Sequence, residues 1–337
     1  MSLPDPTPVL DLIEAFRRSK TMFAALSLGI FDLLEAAPAT VETLQRETGA
    51  DADALARLLD ACVSLGLLDR IGQHYANSPA ASAYLARSSA HSLRGYVLYS
   101  NKALYRMWGD LEGAVREGTH RWKQTFGLEG ALFSHFFQTD EAMREFIHGM
   151  HGFGMLSSPA VVAAFDLGRF RRMVDLGGAT GHLALAACER YPELRAAVFD
   201  LPVVIPVTRE YLAESPHTAR VDLLPGDFFT DPLPEADLFA VGRILHDWSE
   251  DKIRRLLRNV YDRLPNGGAL LIAERLLDED KRGPVAAHMQ SLNMLVCTEG
   301  KERTLSEYEA LLREAGFDRV RGSKTGTPLD AILAEKS

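Results

Sequence analysis

The chain has 337 residues, of which 47% are hydrophobic and 25% charged, a composition typical of a globular protein large enough for two domains. Its net charge of -9 argues against a nucleic-acid partner, because affinity for a phosphate backbone depends on clustered Lys and Arg. The sequence contains no apolar run of membrane-spanning length and no basic segment leading into an apolar one. We therefore expect a cytoplasmic protein that does not span a membrane.

The three cysteines, Cys62, Cys188 and Cys297, are far apart and each lies in an apolar helical context. This pattern predicts buried free thiols rather than a disulfide framework or a zinc site. Because neither HExxH nor CxxC occurs, and the carboxylates lack clustered spacing, we predict that the protein holds no metal.

The first 95 residues have a winged-helix outline. Apolar residues recur at helical spacing over 9–34, with a break at Gly29, and two short amphipathic helices are predicted over 40–47 and 53–65. Residues 66–85 are then predicted to form a two-stranded hairpin with its loop at 71–74. Such modules often bind DNA through the second helix.

That second helix is acidic, since Asp51, Asp53 and Asp60 accompany the single Arg57. Phosphate would repel such a surface, so packing against another protein chain is favoured over DNA binding. We assign residues 1–95 to a dimerisation domain and residues 96–337 to a second, larger domain.

Residues 92–164 are predicted to be helical and are rich in aromatic residues and methionine. Such a stripe can be core, or it can line a pocket for a planar apolar substrate, and both can hold on different faces. We place Trp108 and Phe137 in such a pocket. Glycines at 149, 152 and 154 are interpreted as a flexible lip of that pocket.

From residue 172 onward strands and helices alternate, the pattern of a Rossmann-like α/β domain with a parallel sheet. The predicted strands cover residues 172–176, 195–200, 220–227, 236–245, 269–274, 318–323 and 329–335.

The first two of these strands flank a glycine turn with the spacing D-x-G-x-A-x-G, from Asp175 to Gly181. Glycine lets the backbone approach a ligand closely, and Asp200 after the second strand suits a ribose diol. NAD, FAD and S-adenosylmethionine all use such a turn. The spacing favours S-adenosylmethionine over the dinucleotides, whose fingerprint is G-x-G-x-x-G.

Ligands of open α/β sheets bind beyond the carboxyl ends of the strands, where this chain places polar residues after five successive strands. Within GDFF, Asp227 is predicted to accept from an adenine amino group while Phe228 or Phe229 stacks on the ring. His246, near Glu274, has the character of a general base for a hydroxyl. A phenol of pKa near 10 facing a His of pKa near 6.5 makes proton transfer uphill by about 3.5 units, about 4.8 kcal/mol.

The runs GDFFTDPLPEADLFAVGRILHDW, SLNMLVCTEGKERT and KTGTPLDAILAE closely resemble the acetylserotonin O-methyltransferase family. This family is part of the S-adenosylmethionine-dependent small-molecule O-methyltransferases that include the plant caffeic acid type. The resemblance covers nearly the whole chain. It implies a methyltransferase domain preceded by a winged-helix dimerisation domain, and a homodimer.

The resemblance also implies roles for individual residues. The catalytic base would be His246, flanked by Glu274 and Glu302. The cofactor positions would be Asp175, Gly177, Gly178, Asp200, Leu201, Gly226, Asp227, Phe228 and Arg243. The acceptor positions would be Trp108, Phe137, Asp247, Asn293, Met294 and Cys297.

Two departures from the family pattern stand out. Ala179 replaces the middle glycine of the turn, and Cys297 stands where the acetylserotonin enzyme has a glutamine that contacts its substrate. Losing that amide removes a hydrogen-bonding group from the pocket, so the methyl donor is better defined by the sequence than the acceptor is.

We therefore predict S-adenosylmethionine-dependent methyl transfer to a hydroxyl of a small, planar, aromatic acceptor, without a nucleic-acid or membrane partner. Alternatives that keep the fold are methylation at carbon and a non-methylating reaction. A winged-helix transcriptional regulator and a NAD dehydrogenase are further alternatives. The sequence does not name the acceptor.

Overall fold

The computed structural model describes residues 3–130, 136–137 and 139–337, and divides the chain into two compact units, 1–103 and 104–337. The division lies eight residues beyond the boundary that we predict at residue 95, which stays a prediction. A five-residue π-helix, Ser100–Leu104, crosses the division. Among the described residues no helix is long and apolar enough to cross a membrane.

The first unit has the helix, turn, helix, hairpin order that the sequence predicts. Its two-stranded sheet pairs β1 (Leu68–Ile71) with β2 (His74–Asn77) in antiparallel register. The segment after the hairpin is a helix and not strand, because Ser78 caps it and Pro79 occupies its first turn. The helices of this unit are Thr7–Ser27, Ile30–Leu33, Val41–Thr48, Ala52–Ser64, Pro79–Tyr84 and Arg94–Tyr99.

The second unit is built on a seven-stranded sheet of order β10-β11-β7-β6-β3-β4-β5. All seven predicted strands are present. Their bounds are β3 Arg172–Leu176, β4 Arg195–Asp200, β5 Val221–Pro225, β6 Leu238–Gly242, β7 Ala269–Glu274, β10 Arg319–Ser323 and β11 Asp330–Glu335.

The sheet is mixed, which corrects the prediction of a parallel one. Strand β11 runs antiparallel to both of its neighbours, β7 and β10. Only six residues, 324–329, join β10 to β11, too few for a crossover connection, so the two strands form a hairpin. A two-residue pair of strands, β8 (Leu276–Leu277) and β9 (Arg303–Thr304), lies apart from this sheet.

Helices cover the sheet and bury its apolar residues in one large core cluster. Thr304 caps its helix with the reciprocal hydrogen bonds of a capping box, as predicted, and Gly316 ends that helix. The described helices of this unit are Tyr105–Met107, Leu111–Glu117, Trp122–Phe126, Asp140–Ala163, His182–Arg190, Ile205–Ala213, Glu250–Arg263, Val285–Cys297 and Leu305–Ala315.

The three glycines interpreted as a flexible lip are buried inside the 24-residue helix Asp140–Ala163. A Cβ at Gly154 would overlap with the ring of His182. The interpretation as a lip is therefore wrong for this segment, because the missing side chain allows close packing between two helices and creates no hinge.

Candidate functional site

The glycine turn between β3 and the helix His182–Arg190 leaves its main chain bare. Gly177 and Gly181 have φ of +67° and +76°, and a Cβ on Gly177 would lie 2.6 Å from Cδ1 of Ile244. The third residue with positive φ is Ala179, at +48°. The turn thus has the close approach that a nucleotide-like cofactor needs, with one non-glycine residue in a left-handed conformation.

Asp200, the last residue of β4, is aimed at this turn. Its two carboxylate oxygens accept the main-chain N–H groups of Ala179 (2.8 Å) and Leu201 (2.7 Å). A carboxylate has about four acceptor positions, so it retains capacity for two ligand hydroxyls. Burial raises the pKa of Asp200 to about 6, although these two N–H groups act to lower it. The geometry fits a ribose diol.

Asp175 lies beneath the turn rather than on its ligand side. Its carboxyl is fully buried, and a Cβ on Gly178 would lie 2.6 Å from Oδ2. Burial, together with the charge of Asp200, raises the pKa of Asp175 to about 8. Asp175 is thus protonated at neutral pH and supports the turn, which explains why Gly178 follows two residues after it.

The GDFF segment lies two residues beyond β5, since that strand ends at Pro225 and not at residue 227. Gly226 donates its N–H to the C=O of Asp200 (2.9 Å), and one oxygen of Asp227 accepts the N–H of Phe229 (2.8 Å). The ring of Phe228 contacts that of Phe229, with centroids 4.8 Å apart. The segment offers an aromatic face and a second carboxylate oxygen, which fits an adenine.

His246 lies on a 3-10 turn, Leu245–Asp247, and not at the end of a strand, because β6 stops at Gly242 and Arg243 adopts a φ of +56°. One oxygen of Glu274 accepts the N–H groups of Ile244 (3.0 Å) and Leu245 (2.9 Å), and contacts that of His246 at 3.4 Å. Glu274 therefore fixes the main chain of this turn.

The ring of His246 is held by a different carboxylate. Its Nδ1 lies 2.7 Å from Oε1 of Glu302 and 3.3 Å from Oε2 of Glu274. Because a carboxylate accepts, Nδ1 carries a hydrogen and the lone pair of the neutral ring is on Nε2. The nearest acidic group to Nε2 is Asp247, at 3.6 Å. The side chain is only 3% exposed.

Charge raises the basicity of this imidazole. Burial acts to lower the pKa of His246, but the carboxylates of Glu274, Glu302 and Asp247 outweigh it and raise the value to about 9. Burial raises the pKa of Asp247 to about 6, against the charges of His246 and Arg243. The site is a buried base surrounded by acidic groups.

Metal ligation is the other chemistry open to this cluster. The ligand atoms of His246, Glu274 and Glu302 lie within 4.8 Å of one another, a spacing that could hold an ion. Here, however, each of these side chains already makes the hydrogen bonds that fix the turn and the ring. The arrangement serves to orient an imidazole without an ion.

The residues predicted to contact the acceptor lie on or near the helix Val285–Cys297. The indole N–H of Trp108 donates to Oδ1 of Asn293 (2.9 Å), and the Cys297 thiol donates to the C=O of Asn293 (2.9 Å). Met294 is buried on the same helix. The ring of Phe137 contacts Phe146, 6.3 Å between centroids, within a separate apolar cluster.

Gly300 was missed by the sequence analysis as a site residue. A Cβ there would overlap with the C=O of His246 and lie 2.9 Å from the N of Trp248. The loop that carries Glu302 can therefore pack against the turn that carries His246 only if residue 300 lacks a side chain. The glycine of the GKERT run was the available signal.

Comparison with known proteins gives two family matches. Residues 10–87 match the O-methyltransferase dimerisation domain, and residues 108–318 match the O-methyltransferase domain. The acetylserotonin O-methyltransferase of Bos taurus is 42% identical over 96% of this chain and 95% of its own length.

A human probable bifunctional dTTP/UTP pyrophosphatase/methyltransferase protein is 41% identical over 99% of this chain, which spans about half (54%) of that protein. Among solved structures, human N-acetylserotonin methyltransferase in complex with S-adenosylmethionine superposes with a TM-score of 0.94. It is 39% identical and the match covers 100% of this chain and 99% of that one.

Proposed function

We propose, since the chain belongs to the S-adenosylmethionine-dependent O-methyltransferase family, that it methylates a hydroxyl of a small, planar, aromatic acceptor with His246 as general base. The observation that carries the role of His246 is its fixed tautomer. Its Nδ1 is bound to Glu302, so Nε2 of the neutral ring is the atom available to take a proton.

The cofactor site fits S-adenosylmethionine on this structure's own geometry. The glycine turn is bare at Gly177, Asp200 keeps two acceptor positions, and the buried Nε of Arg243 has no hydrogen-bond partner among the described residues. Asp200 would hold the ribose, while Asp227 and Phe228 would hold the adenine. When bound, S-adenosylmethionine supplies an electrophilic methyl group on a sulfonium.

The raised basicity of His246 makes proton removal more favourable than the sequence alone indicates. A phenol of pKa near 10 facing an imidazole of pKa about 9 is uphill by about 1 unit, about 1.4 kcal/mol, rather than about 4.8 kcal/mol. The three carboxylates thus lower the cost of the transfer by stabilising the imidazolium that it forms.

The hydrogen bond from Trp108 to Asn293 restricts the acceptor. Because an indole N–H only donates, the Asn293 amide must turn its oxygen to Trp108, and its NH2 is the end left for a ligand. The Cys297 thiol is used by a main-chain carbonyl. We infer an acceptor that offers a hydrogen-bond-accepting group to Asn293 and an apolar surface to Cys297.

We also propose that the protein is a homodimer formed through its first unit. Val9, Leu12, Ile13 and Phe16 lie on one face of the first helix at i, i+3, i+4 and i+7, and more than half of each side chain is exposed. An apolar stripe of this kind is typical of a helix that packs against a second chain. Light scattering should give a dimer mass, and Leu12→Asp with Phe16→Asp should shift it toward that of one chain.

The experiment that tests the function measures methyl transfer to N-acetylserotonin and to related hydroxyindoles and phenols, identified by product mass. His246→Ala should remove most of the turnover while S-adenosylhomocysteine still binds by calorimetry. His74→Ala, on the exposed hairpin strand, is the matched control. Near wild-type turnover of His246→Ala on an acceptor that the wild type methylates would refute the role of the base.

A further inference from the structure

The middle residue of the glycine turn is strained and is held from several sides. Ala179 has a φ of +48°, a left-handed conformation that a residue with a Cβ rarely adopts. Its N–H donates to Asp200 (2.8 Å), and its C=O accepts the hydroxyl of Thr208 (2.6 Å). Both peptide groups that flank its Cα are therefore fixed by side chains that come from other elements.

Thr208 is fully buried in the helix Ile205–Ala213. Its hydroxyl also lies 3.2 Å from the C=O of Val204, the local partner that a helical Thr ordinarily uses. The shorter bond, however, is the one to Ala179. The methyl group of Ala179 packs at the edge of an apolar cluster that includes Val204, so it gains contacts that offset part of the strain.

The next residue of the turn is held by the glycine-rich helix Asp140–Ala163. Thr180 is fully buried, and its hydroxyl lies 2.8 Å from Nδ1 of His151. The ring of His151 packs on that of Tyr211, with centroids 4.1 Å apart. Burial lowers the pKa of His151 to about 4, so at neutral pH this imidazole is uncharged and bonds the hydroxyl without adding charge to the site.

We propose that Thr208, assisted by His151, is a positioning residue for the cofactor: it holds Ala179 in its left-handed conformation so that the Ala179 N–H orients the Asp200 carboxylate toward the ribose. This inference rests on the proposed function, since it assumes that Asp200 binds the ribose. It also accounts for an alanine at a turn position where a glycine would adopt the same conformation without strain.

The test is calorimetric binding of S-adenosylhomocysteine to the full-length protein. Thr208→Val keeps the shape of the side chain but removes the donor, and it should weaken binding about tenfold, raising KM for S-adenosylmethionine with little change in kcat at saturation. Adding Ala179→Gly should restore binding to within about threefold of wild type, because glycine needs no help to adopt a φ of +48°.

Two controls separate this role from a general loss of stability. Thr48→Val removes a hydroxyl that bonds a helix carbonyl in the first unit and should leave binding unchanged. Thr208→Ser keeps the donor, should bind like wild type, and serves as the reference if the valine variant does not fold.

Each result bears on a different statement. Wild-type protein that does not bind S-adenosylhomocysteine would refute the proposed function itself. Wild-type protein that binds, with Thr208→Val binding equally well, would refute the positioning role alone. Weak binding that Ala179→Gly does not restore would also overturn it, since Thr208 would then act by some route other than the left-handed turn.

Discussion

The pH dependence of methyl transfer should report the carboxylates around His246. General-base catalysis requires the neutral imidazole, so activity should rise with pH through the pKa of His246. That pKa is raised from 6.5 to about 9. The difference, about 2.5 units or about 3.4 kcal/mol, is the extent to which this site favours the imidazolium.

Replacing Glu302 with Gln removes one charge and keeps the shape of the side chain. Because Oε1 of Glu302 lies 2.7 Å from Nδ1, we expect the pKa of His246 to fall by about 1 to 2 units. The rate at high pH should also fall, since a weaker base accepts the proton less readily. The defect should therefore be larger at pH 9 than at pH 6.5.

The assay follows transfer of a labelled methyl group at saturating concentrations of both substrates between pH 6 and pH 10. A bound sulfonium adds its charge in wild type and variant alike, so the shift between the two profiles is the quantity to compare. Acceptors with different hydroxyl pKa values form the control, since a midpoint that follows the acceptor does not belong to His246. Identical midpoints for wild type and Glu302→Gln would refute the reasoning.

Three further predictions concern the same unit. Asp200→Asn should weaken S-adenosylhomocysteine binding about 10-fold to 100-fold by calorimetry, because it loses charge-assisted bonds to two hydroxyls, and the exposed Asp222→Asn should not. Gly300→Ala should lower kcat with little change in cofactor affinity, since its Cβ would displace the His246 turn. Asp175 has a folded pKa of about 8 against 3.8, so stability should fall as pH rises between these values, and the melting temperature of Asp175→Asn should vary less over pH 5 to 8.

Elements with local signals were predictable from the sequence. The helix Glu250–Arg263 has an unbroken apolar stripe and is stopped by Pro265, and the glycine turn is bounded by two short apolar strands. The seven strands of the sheet are found where the apolar runs are. These patterns depend on neighbours within a few residues, which the sequence shows directly.

Features that depend on distant contacts were less accessible. Nothing near Glu302 indicates that it bonds a histidine 56 residues earlier in the chain, and only the family resemblance assigned it to the site. Likewise, the left-handed Arg243 that ends β6 and starts the 3-10 turn is fixed by its N–H bond to the C=O of Ala273, on the neighbouring strand. Propensity alone extended that strand through the turn.

The structure also changes the reason for the first glycine of the turn. A Cβ on Gly177 would lie 2.6 Å from Cδ1 of Ile244, whose own N–H is bonded to Glu274. Ile244 begins the segment that carries His246. The absent side chain at residue 177 thus lets the cofactor turn and the base turn pack directly on each other, as well as leaving the main chain open to a ligand. The distance between the methyl donor and the base is therefore set by backbone packing at Gly177, which ties two halves of the reaction to one residue.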